Sequence, residues 1–159
     1  MKVLEFLRAS GKLPAGVLAS LLMAGLFTVR PLYAQQTDSK AALEKMKGVA
    51  ETQHEIVLLL LKKKEYLKAA TEAYKIFALE WPDDQEPLLL KELLYLSDQF
   101  LKQNQAPISL SLIDKHSGLF KRVSSRIAIL KEKGYLYKSM NQDDEALECF
   151  REAQRLENE

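Results

Sequence analysis

Apolar residues recur at helical spacing along most of the chain after residue 40, and polar or proline-containing breaks separate the apolar stretches. The pattern predicts six helices, at about 40–61, 65–79, 88–102, 107–117, 123–140 and 144–157. The stretch from 35 to 40 is polar and is predicted to be extended. Glycine and proline are few and the aromatic content is only 8%, which argues against a β-rich fold. The sequence therefore predicts an all-α fold of three antiparallel helical hairpins.

The clearest pattern lies in residues 127–158, where small and large residues alternate at fixed intervals across the last two predicted helices. Small side chains allow two helix axes to approach closely, and large rings fill the space beside them. Five residues carry this packing pattern: Gly134, Tyr137, Ala146, Phe150 and Ala153. Counted from Ile127 as position 1, they lie at positions 8, 11, 20, 24 and 27. The segment between the helices, 140–144, is rich in turn and helix-capping residues.

This spacing resembles the tetratricopeptide repeat, whose consensus has Gly at position 8 and Ala at positions 20 and 27. Lys133 and Asn158 depart from the consensus at positions 7 and 32. Extended upstream, the resemblance implies two weaker repeats at 51–82 and 87–120, with Ala70 and Tyr74 at the packing positions of the first. It implies a short solenoid spanning 51–158, with residues 35–50 extending the first helix.

The resemblance also implies a concave groove, lined by positions 5, 9 and 12 of the first helix in each hairpin. Those positions hold Glu55, Leu59, Lys62, Lys91, Tyr95, Asp98, Lys131, Tyr135 and Lys138. Two of the three sets contain Lys followed by Tyr, which suits a peptide because the ring offers contact area and the amine a charge-assisted hydrogen bond. The expected ligand is an unidentified peptide or partner protein. The alternative is that these side chains only form a solvated face.

The first 34 residues have the features of a secretory signal peptide. Lys2, Arg8 and Lys12 precede an uncharged apolar run of 15 residues, Ala15–Val29. We expect cleavage after Ala34, although Leu32 is larger than the small residue preferred at that place. The alternative is an uncleaved anchor in the inner membrane. Either way, the folded part is expected outside the cytoplasm, in a bacterial periplasm or secreted.

Composition narrows the functional classes further. The formal net charge is +1, and without the basic excess typical of nucleic-acid-binding proteins we expect no nucleic-acid partner. Cys149 is the only cysteine, so no internal disulfide can form; it is interpreted as an apolar filler, with a disulfide to a partner or a second copy as the alternative.

Candidate chemistry is sparse. His54 and His116 are the only histidines, they lie far apart, and no catalytic or phosphate-binding motif occurs. We therefore predict no catalytic residues, no metal site and no cofactor, and a non-enzymatic role as an interaction scaffold. A self-associating subunit of an envelope complex is the alternative, since the leucine-rich stretch 88–94 offers more apolar surface than one helix needs.

Overall fold

The computed structural model describes residues 30–159, with side chains from residue 39 onward. This part of the chain contains six α-helices, two short 3-10 helices and no strand. The α-helices are α1 (Arg30–Lys62), α2 (Tyr66–Phe77), α3 (Glu86–Lys102), α4 (Ala106–His116), α5 (Val123–Ser139) and α6 (Asp143–Glu157). The 3-10 helices, Asp83–Gln85 and Ser117–Leu119, precede α3 and follow α4. The prediction of an all-α fold is confirmed.

The beginning of α1 differs from the prediction. Residues 35–40, expected to be extended, are helical, because α1 begins at Arg30. Pro31 is compatible with the first turn of a helix, where its missing N–H has no intrahelical acceptor. No glycine or proline follows until Gly48, so nothing local ends the helix. Residues 1–29 of the predicted signal peptide lie outside the described residues.

Residues 45–159 form one compact unit. Besides the contacts within hairpins, α2 packs against α3 and α4, and both α3 and α4 pack against α5. Each hairpin therefore contacts the next one along the chain. Their shared core is apolar, and its largest completely enclosed side chains include Ile76, Leu93, Phe100, Ile113 and Leu136.

The three hairpins are closed by turns of the same geometry. Lys64, Asn104 and Asn141 adopt left-handed conformations with φ of 61°, 60° and 58°. In each turn the N–H of the following residue donates to the carbonyl five residues earlier, from Glu65 to Leu60 at 2.9 Å, from Gln105 to Phe100 at 2.9 Å and from Gln142 to Tyr137 at 3.0 Å. This is the Schellman helix ending, in which one residue takes positive φ.

These equivalent turns define a register that corrects the predicted one. The turn residues lie at 64, 104 and 141, which places the equivalents of Ile127 at Ala50 and Leu90 rather than at Glu51 and Pro87. Ser97, predicted at the tyrosine position, is instead equivalent to Gly134. The first two predicted repeat starts are therefore displaced, by one and three residues.

The predicted packing residues are buried or half-buried. Ala70, Gly134, Ala146 and Ala153 are buried, and a Cβ built on Gly134 would lie 2.6 Å from Cε1 of Phe150. Tyr74, Tyr137 and Phe150 are half-buried. In the corrected register, however, Ala69 and Ala73, both fully buried, replace Ala70 and Tyr74 as the equivalents of Ala146 and Phe150.

A buried histidine lies between α2 and α4. The ring of His116 packs at a tilt against two aromatic rings, with centroids 4.9 Å from Phe77 and 5.4 Å from Tyr74. Its Nε2 is enclosed and has no hydrogen-bond partner. Burial, reinforced by the neighbouring Lys115 charge, lowers the pKa of His116 below its ordinary 6.5.

The fold should consequently lose stability in mild acid. The folded state favours neutral His116 more strongly than the unfolded state does. The contribution of neutral His116 to the free energy of unfolding is therefore complete above pH 6.5, and it is lost as the pH drops through the folded-state pKa. Denaturant unfolding at several pH values should show this loss, and His116→Leu should reduce the slope below pH 6.5. An NMR titration of the His116 ring with a midpoint at or above 6.5 would contradict the assignment.

Candidate functional site

A cavity of about 740 Å³ lies at the junction of α1, α2 and α3. Helix α1 contributes one wall through residues 47–55, and the N-terminal part of α3 contributes another. The C-terminal half of α2 and the segment after it close the base. Its lining residues are Lys47, Ala50, Glu51, Thr52, His54, Glu55, Ile76, Trp81, Leu88, Leu89 and Glu92.

The base of the cavity is apolar and held in place. The indole N–H of Trp81 donates to the carbonyl of Ile76 at 2.8 Å, which fixes the ring against the end of α2. Leu89 is buried in the core, whereas Leu88 is 44% exposed. The cavity therefore presents Trp81 and Leu88 as contact surface, with the polar atom of the indole already satisfied.

The polar wall joins α1 to α3. Nδ1 of His54 lies 2.6 Å from Oε1 of Glu92, and the His54 ring lies 5.2 Å from that of Tyr95. Glu51 and Glu55, on the same side of α1, are exposed. Carboxylates outnumber Lys47 along this wall, so its electrostatic potential favours cationic groups.

The structure does not gather the predicted groove residues into one site. Glu55 lines the cavity, and Tyr95 lies beside it through its contact with His54. Tyr135 instead meets the Phe150 ring of its own hairpin at 5.2 Å, and Nζ of Lys131 lies 2.5 Å from Glu157 at the end of α6. The remaining predicted residues are exposed or half-buried along α1, α3 and α5: Leu59, Lys62, Lys91, Asp98 and Lys138.

The apparent recurrence of Lys followed by Tyr came from the misplaced register. Tyr95 lies nine residues before Asn104, whereas Tyr135 lies six residues before Asn141. The two tyrosines are therefore offset by three residues, and their ring neighbours differ: Tyr95 meets His54, whereas Tyr135 meets Phe150. In the register set by the turns the two tyrosines are not at equivalent positions, and the groove stays a prediction. Asp98 forms an ion pair with Lys102 at 2.5 Å on its own helix.

Two polar clusters between hairpins were missed by sequence reasoning. The hydroxyl of Ser97 lies 2.6 Å from that of Ser109 and donates to Glu132 on α5, also at 2.6 Å. The carboxylate of Glu86 accepts backbone N–H groups at the start of α5, from Lys121 at 3.2 Å and Arg122 at 3.1 Å. No local pattern predicts the contacts between hairpins, because Ser97 and Glu132, like Glu86 and Lys121, are 35 residues apart.

The described residues include side chains of the types that bind metal ions, as well as the single cysteine of the chain. Within residues 30–159 there is no group of three side chains suited to holding a metal ion. Burial raises the pKa of the Cys149 thiol above its ordinary value, so this cysteine is a poor nucleophile at neutral pH. Its nearest charged neighbours include Lys133, which is occupied by Asp114 at 2.8 Å.

None of the helices in residues 30–159 combines the length and apolar composition that crossing a membrane requires. Comparison of the whole chain with protein-family models, with curated proteins and with solved structures yields no match.

Proposed function

We propose that this chain is a non-enzymatic protein-interaction scaffold of the tetratricopeptide-repeat type, which binds a peptide segment of a partner protein in the cavity between α1 and α3. The observation that carries this proposal is the cavity itself. It is open to solvent, spans two consecutive hairpins, and combines an exposed leucine and a fixed indole with carboxylates. Such a mixture of apolar surface and a few oriented polar groups is typical of ligand sites.

The lining also suggests the kind of peptide. Glu51, Glu55 and Glu92 outnumber Lys47 along the polar wall. A segment that places an apolar side chain against Trp81 and a Lys or Arg beside the carboxylates would use both halves of the cavity. We therefore expect basic–apolar sequences to bind better than acidic–apolar ones of equal length.

Two further observations support the repeat assignment and the cellular setting. The three equivalent Schellman turns, together with the contacts between consecutive hairpins, are what stacked helical repeats require. The basic start and apolar run of the first 34 residues favour export to the periplasm. In this setting the partner is another periplasmic or secreted protein, or the periplasmic part of a membrane protein.

Replacing Leu88 with Ser should weaken peptide binding about tenfold, because it removes apolar contact surface without adding charge. Binding can be followed through Trp81, the only tryptophan in the chain, whose fluorescence should shift as the cavity fills. The titration would compare matched basic–apolar and acidic–apolar peptides selected from a synthetic array.

Leu147→Ser is the matched control, since Leu147 on α6 is 46% exposed, close to the 44% of Leu88, and lies outside the cavity. It should leave the titration unchanged. Equal weakening by both substitutions would place the binding site elsewhere. If no peptide on the array shifted the fluorescence or bound by calorimetry, the proposed function itself would be wrong.

A further inference from the structure

Each of the two histidines of the chain lies where the first hairpin meets the second. Nδ1 of His54, on α1, lies 2.6 Å from a carboxylate oxygen of Glu92, on α3. His116, on α4, packs against α2 instead, and its enclosed Nε2 has no hydrogen-bond partner among the described residues. A protonated His54 would therefore face a carboxylate, whereas a protonated His116 would carry a buried N–H without an acceptor.

The immediate surroundings of His116 are aromatic and positively charged. Helix α2 presents the rings of Tyr74 and Phe77 to it. On α4 itself, Nζ of Lys115 lies 3.8 Å from the centroid of the Tyr74 ring. A proton on His116 would therefore add a second positive charge to a contact that already holds one.

The helices packed around α4 supply no uncommitted carboxylate that could compensate for this charge. Every acidic side chain of α2, α3, α4 and α5 already has a partner of its own. These side chains are Glu72, Glu86, Glu92, Asp98, Asp114 and Glu132. The cation that reaches α4 from α5, Lys133, pairs with Asp114 at 2.8 Å. Protonation of His116 would therefore have to be compensated by water, which the closed contact excludes.

The last turn of α2 connects this histidine to the peptide cavity. Phe77 packs against His116, and the preceding residue, Ile76, lines the cavity. The carbonyl of Ile76 accepts the indole N–H of Trp81 at 2.8 Å, which fixes the Trp81 ring. Because consecutive residues of a helix move together, a displacement of Phe77 from His116 would also displace the acceptor that fixes Trp81.

We infer that His116 makes the shape of the peptide cavity depend on pH. The neutral ring completes the contact that holds the end of α2 against α4. When the ring takes up a proton from solvent, water must reach its Nε2, so the last turn of α2, residues 74–77, moves away from α4 and shifts Trp81. This change needs no ligand, whereas its effect on peptide binding rests on the proposed function.

The direction of the pH dependence follows from the surroundings of the ring. Burial, and then the charge of Lys115, lower the pKa of His116 below 6.5. The closed form of the cavity therefore predominates above pH 6.5, and the open form appears only as the pH falls through the folded-state pKa. Because Lys115 contributes to the shift, Lys115→Gln should move the midpoint of opening to higher pH.

Fluorescence of Trp81, the only tryptophan, tests this inference on the full chain without any peptide. The emission should change in one transition with a midpoint below pH 6.5, because the indole loses its fixed acceptor and gains water. Far-UV circular dichroism should stay unchanged through this transition, since the helices remain formed. Loss of circular dichroism together with the fluorescence change would mean global unfolding and would overturn the inference.

Substitution of each histidine assigns the transition to one ring. His116→Gln, which keeps a polar side chain that does not titrate, and His116→Leu should both abolish the transition. His54→Gln is the matched control, because it removes the other histidine, and it should keep the transition. The inference would be overturned by a wild type without a transition, by a transition that survives both His116 substitutions or is abolished by His54→Gln, or by a midpoint that Lys115→Gln lowers.

Peptide titrations at several pH values separate this inference from the proposed function. Since only the closed form binds, the apparent dissociation constant of the wild type should rise up to about tenfold for each pH unit below the midpoint, relative to His116→Gln. Peptide binding that changes with pH equally in both proteins would overturn the inference and leave the proposed function standing. A fluorescence transition in a protein that binds no peptide would support the inference and contradict the proposed function.

Discussion

Replacing Glu86 with Ala should lower the free energy of unfolding by about 3 kcal/mol. The side chain of Glu86 is buried at the start of α3, and its two oxygens accept the backbone N–H groups of Lys121 and Arg122. These amides lead into α5, so the carboxylate also lies at the positive end of that helix. Ala would leave both amides without this acceptor and remove one of the polar links between the second hairpin and the third.

The same carboxylate should make part of the stability sensitive to stronger acid. Burial alone favours the neutral acid, but the hydrogen bonds from Ser125, Arg122 and Lys121 outweigh it and hold the pKa of Glu86 below its ordinary 4.5. The stabilisation is therefore complete above pH 4.5 and is lost as the pH falls through the folded-state pKa. This loss begins only below pH 4.5, whereas the loss assigned to His116 begins below pH 6.5, so a loss between these two pH values comes from His116 and not from Glu86.

Urea unfolding of Glu86→Ala, Glu86→Gln and the wild type at neutral pH would measure the contribution. Gln keeps the shape of the side chain but presents an amide N–H to one of the two backbone N–H groups. Glu86→Gln should therefore lower the free energy of unfolding by less than Glu86→Ala does. Asp83→Asn is the control: Asp83 forms an exposed ion pair with Lys121 at 3.2 Å, and such pairs contribute less than about 1 kcal/mol. If Glu86→Ala lowered the free energy of unfolding no more than Asp83→Asn does, Glu86 would not stabilise the fold through these hydrogen bonds.

The helices were predictable because their signals are local. Pro87 and Pro107 each lie in the first turn of a helix, as the missing N–H of proline favours. Asn141 and Asn104 end helices in the left-handed conformation that asparagine tolerates better than most residues. The beginning of α1 was missed because the polar composition of residues 35–40 does not prevent helix formation.

The register of the middle hairpin could not be read from residue types alone. In the last hairpin a glycine and an alanine mark the close approach of two helices. In the middle hairpin the same positions hold Ser97 and Ser109, whose hydroxyls hydrogen bond to each other at 2.6 Å. Two serines thus achieve a close approach by a different interaction, and the ring position is filled by Phe100 rather than by a tyrosine.

The candidate surfaces were harder to predict than the fold. The leucine-rich stretch 88–94 predicts spare apolar surface, but Leu89 and Leu93 are buried in the core. Only Leu88 stays strongly exposed, and it lines the cavity. The most exposed leucines, Leu59 and Leu67, lie on α1 and α2 instead.

Replacing Gly134 with Val should lower the free energy of unfolding by about 3 kcal/mol, the upper part of the range for overpacking. A Cβ at this position would lie 2.6 Å from Cε1 and 2.7 Å from Cζ of Phe150, well inside van der Waals contact. Moving the ring away would give up its edge-on contact with Tyr135 at 5.2 Å. The clash would therefore disturb the packing between α5 and α6.

A double-mutant cycle with Phe150→Ala isolates this contact. Phe150→Ala should destabilise the hairpin by itself, but it opens the space that a valine side chain needs. The double variant should therefore be about 2 kcal/mol more stable than the sum of the two single effects implies.

Gly48→Val is the matched control, because a Cβ at Gly48 in α1 meets nothing within 4 Å. It should leave stability unchanged or slightly raise it, since glycine is a poorer helix former than valine. Strict additivity of Gly134→Val and Phe150→Ala would show that the two residues do not constrain each other.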